Sequence, residues 1–105
     1  MTDKILVLTT ASSKDEARKI GRALVERLLA ACVSIVPQLD SIYRWEGEIE
    51  EAEEFLLIVK TTRGAFERVR NAINELHSYD VPECISVAID EGSTEYLSWI
   101  GQSVK

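Results

Sequence analysis

Four residues of this chain stand out as candidates to hold a transition metal: His77, Glu83, Cys84 and Cys32. The first three sit close together in the stretch LHSYDVPECISVAID, which contains the only histidine. Neutral imidazole suits Cu(II), whereas thiolate favours Cu(I) or Zn(II). A structural zinc site needs four protein ligands. One histidine and two separated cysteines do not supply them in one subunit without carboxylates, so that reading is rejected. A weak or shared copper(II) site is left as the metal reading. Each residue also has a plain structural role open to it. A histidine at a helix C-terminus caps last-turn carbonyls, and a cysteine is a small core residue. Catalytic chemistry has less to stand on. No HExxH, GxSxG, CxxC or phosphate-cradling glycine loop is present. The expectation is a protein that is not an enzyme and uses no organic cofactor.

These residues must be held by regular elements. Lys4 to Thr10 is a short β-branched run and reads as a strand. Ser13 and Glu16 have capping-box spacing and start a helix. Its apolar stripe is Ala17, Ile20, Leu24 and Leu28, ending near Ala30 and Ala31. Cys32 to Val36 is a second strand, and Pro37 marks it as an edge or a bulge. Extended character resumes over Ser41 to Trp45, Glu46-Gly47 forms the turn, and Glu48 to Thr61 returns as a long third strand. A second helix carries Phe66, Val69, Ile73 and Leu76, and Pro82 follows its end. Cys84 to Ile89 is the fourth strand. A last helix after Gly92-Ser93 packs Tyr96, Leu97, Ile100 and Val104.

The order β-α-β-β-α-β is the ferredoxin-like α+β pattern, an antiparallel sheet with an extended β2–β3 hairpin and a C-terminal helix. Strands 1 and 3 belong in the centre and strand 2 at an edge, which suits Pro37. Cys32 then lies at the sheet end near Thr61, and His77, Glu83 and Cys84 lie at the opposite end. Cys32 and His77 can share a metal only across a subunit boundary.

The chain has 105 residues and reads as a single domain over 1–105. A formal net charge of −6 with no basic stripe disfavours nucleic acid. The acidic run from Glu46 to Glu54 reads as a solvated hairpin. No secretory leader and no membrane-spanning run is visible, so a cytoplasmic protein with free thiols and no membrane partner is expected.

Strand 3 is apolar on both faces: Phe55, Leu57 and Val59 point one way, Leu56 and Ile58 the other. Strand 1 repeats this with Ile5 and Val7 against Leu6 and Leu8. A sheet face open to water should alternate to polar, and an apolar one marks an interface. The alternative is that the terminal helix covers it. Tyr43 and Trp45, near the hairpin tip, are aromatic anchors for such an interface.

The segments SIYRWEGEIEEAEEFLLIVKTT, ERLLAACVSIVP and LHSYDVPECISVAI, in this order over nearly the whole chain, resemble the CutA divalent-cation tolerance family. The resemblance implies a homotrimer related in architecture to PII signalling proteins, with divalent metal ions, copper above all, as partners. Cys32, Lys60, Tyr79 and Glu83 fall at positions matching the family, and Lys60 and Tyr79 with Tyr43 and Trp45 would line an intersubunit pocket or interface. Departures from the family pattern fall at Ser34, Ser78 and Cys84. The alternative is a trimeric PII-like small-molecule signalling or assembly module without a physiological metal.

Overall fold

A computed structural model describes residues 2–105. Strand β1 (Lys4–Ala11) leads to helix α1 (Lys14–Glu26), then β2 (Cys32–Trp45) and β3 (Glu48–Thr62). A 3-10 turn (Arg63–Ala65) opens helix α2 (Phe66–Leu76), followed by β4 (Ile85–Ala88) and helix α3 (Thr94–Ser103). The four strands form one antiparallel sheet in the order β2-β3-β1-β4. The ferredoxin-like α+β expectation therefore holds, with β2 at an edge.

One face of the sheet and the helices α1 and α2 enclose the core. Ile5, Val7, Leu57 and Val59 from the strands meet Ile20 and Leu24 of α1 and Val69 and Ile73 of α2, all excluded from water. Helix α1 starts where its spacing predicts: Ser13 Oγ accepts from the Glu16 amide at 3.1 Å. It ends sooner than the apolar stripe suggests. Leu28 sits at φ 61°, and the Leu29 amide reaches back to Leu24 O, a Schellman-type stop of the sort usually built on glycine. That turn lifts Leu28 out of the stripe and leaves it 47% exposed.

Strands β2 and β3 pair along the whole hairpin. Pro37 and Gln38 form a bulge between Val36 and Leu39, with Gln38 at φ 62°. A proline has no N–H for the ladder, and the bulge accommodates it without breaking the strand, so two expected segments are one. The turn at Glu46 (φ 50°) and Gly47 (φ 82°) has the two left-handed residues of a type I′ hairpin. Strand β4 is shorter than expected, Ile85–Ala88, with Cys84 before it and the Ile89 amide still reaching Lys4 O of β1 at 3.2 Å.

Directly opposed residues in antiparallel strands share a face. The register thus collects Leu6, Leu8, Val36, Leu56, Ile58, Ile85 and Val87 on the face away from α1 and α2. All of these are only partly buried or exposed. Helix α3 covers one end of this face: Ile100 is fully buried outside the main core, and Gly101 lies against the Lys4 side chain. Most of the aliphatic band stays open.

Candidate functional site

The open face has three zones along β3. Cys32 pairs with Lys60 at one end, the aliphatic band occupies the middle, and beyond it the hairpin arm leans over the 78–83 loop.

At the first end the Lys60 ammonium donates to Ser34 Oγ and lies 3.7 Å from Cys32 Sγ. Cys32, Ser34 and Lys60 are neighbours because register aligns Cys32 with Lys60 and Ser34 with Ile58 on one face. The thiol is free and half-buried.

The second end holds His77. As the C-cap of α2 it turns its ring onto β1, and Nε2 lies 2.6 Å from Thr10 O. A carbonyl only accepts, so Nε2 carries the proton. Nδ1 in turn accepts from the Tyr79 amide at 3.1 Å. Both ring nitrogens are occupied, and the neutral tautomer that results has no lone pair left for a metal. Glu16, the fourth residue of the α1 cap, reinforces this latch. Its Oε2 accepts from the Ser78 amide at 2.8 Å. Burial alone would push this carboxyl up, but the hydrogen bonds from Ser78 outweigh it and hold it below the usual carboxylate range.

The next residue of the loop, Tyr79, donates its hydroxyl to Glu54 Oε2 at 2.6 Å. Burial, the bond to Glu54 and its charge push the Tyr79 hydroxyl far up, so it remains a donor at any ordinary pH. Glu83 is also pushed up, by burial first and by the Glu54 carboxylate second. Burial dominates the Cys84 thiol, raising it against the pull of Arg70; the side chain packs on the core.

A cleft of about 670 Å³ separates the arm from the loop. Tyr43, Trp45 and Tyr79 line it with Glu50, Glu54, Asp80 and Glu83. Tyr43, Trp45 and Tyr79 are thus brought together, as an interface or pocket reading requires. Lys60 is not among them: it stands at the other end with Cys32. Thr10 lies opposite Leu56 and Cys32 opposite Lys60. The four steps from Leu56 to Lys60 along β3 put roughly 13 Å between the Cys32 end and the strand position His77 bonds. Among the described residues no three histidine, cysteine, aspartate or glutamate side chains converge to hold a metal ion. The donor set of one chain therefore does not fit a metal.

The sequence places Glu16 only in the α1 cap and Glu54 only in a solvated hairpin, whereas Glu54 is 7% exposed and both carboxylates bond the 78–79 segment; Thr10 has no place in the sequence reading of the site. Glu54 had a signal: alternation along strand 3 puts it on the face of Leu56 and Ile58, an acid continuing an apolar row. Thr10 acts through its carbonyl, which no side-chain pattern announces.

A family model described as CutA1 divalent ion tolerance protein matches residues 5–103. The divalent-cation tolerance protein CutA of Thermus thermophilus is 51% identical over 98 residues, 93% of this chain and 95% of that protein. Its solved structure superposes with a TM-score of 0.95 at 49% identity, over 97% of this chain and 99% of that one. The Archaeoglobus fulgidus structure, titled a periplasmic divalent cation tolerance protein CutA, gives 0.94 at 41% identity, over 97% and 99%. The chloroplastic CutA of Arabidopsis thaliana is 40% identical over 96% of this chain, which spans 56% of that relative. No described helix is long and apolar enough to cross a membrane.

Proposed function

We propose that this chain, which belongs to the CutA1 divalent ion tolerance family, works as a homotrimer that binds divalent cations, copper among them, at a site completed between copies. The observation that carries this reading is the aliphatic band on the open sheet face. Full burial of a side chain of this size is worth about 1.5–3 kcal/mol, and the band from Val36 to Val87 is left only partly covered in the single chain. Closed assembly of identical copies buries such a face. Three copies is the number the family resemblance implies.

The metal reading rests on two supports. Relatives carry the name divalent-cation tolerance protein. Cys32 brings a free, half-buried thiol to the edge of the band, and thiolates select soft and borderline ions. A single thiol is too few ligands, so neighbouring copies must add their own. A cation held at Cys32 would take the place beside the sulfur that the Lys60 ammonium now has at 3.7 Å. Of the remaining candidates, Glu83 has an accessible carboxylate, Cys84 serves the core and His77 serves as a latch. The role is binding, not catalysis, carried out by one domain per copy in the cytoplasm, where the two thiols stay reduced.

Sedimentation velocity at micromolar concentration tests the assembly: a species of three copies is expected, and a monomer overturns it. Copper and zinc titration calorimetry on that species tests the cation. Saturable uptake at or below one ion per chain is expected, and no uptake of either ion removes the metal half of the reading.

A further inference from the structure

Cation binding at Cys32 uses the thiol and leaves its neighbour without a role. Lys60 is half-buried on the open face, yet it makes no ion pair among the described residues. The hydrogen-bond partners of its ammonium are Ser34 Oγ and Cys32 Sγ, the latter at 3.7 Å. The backbone holds this pair in place. Register sets Cys32 against Lys60. Beside them the Ala31 amide donates to Lys60 O at 2.9 Å, and the buried Thr61 hydroxyl donates to Leu29 O at 2.6 Å.

Reactive cysteines sit partly exposed beside a positive charge. Cys32 has that setting. Cys84 does not: it packs on the core, and burial raises its thiol against the pull of Arg70. A thiol oxidised by peroxide becomes a sulfenic acid, which condenses with a second thiol or with a nitrogen. Within the chain no second thiol is in reach of Cys32. Cys84 stands just before β4, three strand spacings from β2, roughly 14 Å. The amine nitrogen of Lys60, by contrast, already touches the sulfur.

We propose that Lys60 captures oxidised Cys32 in a reversible sulfur–nitrogen crosslink, with hydrogen peroxide as the oxidant. In the first step peroxide takes two electrons from sulfur. An S–O bond forms, the O–O bond breaks, and the other oxygen leaves as water with the thiol proton. In the second step Lys60 gives one proton to solvent and its nitrogen lone pair attacks sulfur. The S–O bond breaks, and the hydroxide departs as water with a second nitrogen proton. No oxidant enters this step. A dithiol reverses the crosslink, restoring thiol and amine as it becomes a disulfide. Ser34 is a positioning residue that keeps the nitrogen beside the sulfur. The crosslink spares Cys32 the irreversible sulfinic and sulfonic steps. It also closes the thiol to any ligand, and it stands whether or not a metal binds there.

The test adds hydrogen peroxide in small excess to the assembled protein and reads its proteolytic peptides by mass spectrometry. A peptide holding Cys32 joined to one holding Lys60 is expected, two hydrogens lighter than their sum and released by dithiothreitol. Lys60→Arg keeps the charge but replaces the amine, so the joined peptide should be lost and Cys32 should run on to sulfinic acid. Ser34→Ala should lower the yield of joined peptide. Sulfinic acid at Cys32 in the parent protein, with no joined peptide, overturns the proposal. So does a disulfide between the Cys32 residues of two copies as the main product. A Cys32 thiol that peroxide leaves unchanged overturns it as well, a result that the parent protein gives without any variant.

Discussion

The two ends of the open sheet face carry the same kinds of metal-binding residue and use them differently. At one end the free thiol of Cys32 has only long contacts, to the Lys60 ammonium at 3.7 Å and the Ser34 hydroxyl at 4.0 Å. At the other, His77 is tied through both nitrogens, to Thr10 O and the Tyr79 amide, and among the described residues no ion pair reaches the Glu54 and Glu83 carboxylates beyond it. Residue type alone ranks histidine as the better copper ligand. Lone-pair occupancy reverses that order. A ligand must offer an electron pair, and a histidine whose unprotonated nitrogen already accepts a backbone N–H offers none until the loop opens.

That contrast can be broken most forcefully at His77. His77→Ala removes two hydrogen bonds that fasten the 77–79 loop to β1, and should cost about 2–3 kcal/mol of stability. Chemical denaturation checks the loss, and calorimetry should find copper and zinc affinity within about twofold of the parent protein. A large loss of metal affinity with unchanged stability would turn the latch back into a ligand. Tyr79→Phe comes next, at about 1.5 kcal/mol, because it takes away the hydroxyl that bonds the buried Glu54; urea midpoints will read it. Cys32→Ser is expected to do the converse of His77→Ala. Stability should barely move, whereas metal affinity falls at least tenfold, about 1.4 kcal/mol.

The smallest effect is pH-dependent. The Glu16 carboxyl is held below its usual value by Ser78, so its contribution is present above about pH 4.5 and is lost as pH falls through the lowered folded value. Glu16→Gln should cost about 0.5–1 kcal/mol at pH 7, and the gap to the parent should close in acid. A gap that stays constant from pH 7 to pH 3 would mean that the charge of Glu16 plays no part in the latch.

The fold was readable because its signals are local. Capping at Ser13, the glycine turn at Gly47, the proline in β2 and the two-faced apolar pattern of β3 each follow from neighbouring residues. The opposite placement of Cys32 and His77 followed from topology alone. What escaped depends on contacts distant in sequence. The early stop of α1 puts leucine where glycine is usual, so Leu28 looked like core. The merging of two strand segments across Pro37 needed the partner strand to hold the bulge. The occupied state of His77 depends on a carbonyl 67 residues away in the chain, and Glu54 became part of a site only when the loop brought Tyr79 over it. Metal-binding residues show in a sequence, but whether their electron pairs are free does not.

Because the chain has one histidine, its ring nitrogens can be followed without ambiguity. Two-bond proton–nitrogen correlation spectra, recorded before and after zinc is added to saturation, test the central claim that His77 is a latch and not a ligand. The account predicts a proton on Nε2, an unprotonated Nδ1, and no change in either signal as zinc binds. A shift of the Nδ1 resonance to a metal-bound position, or loss of the Nε2 proton on zinc addition, would contradict it.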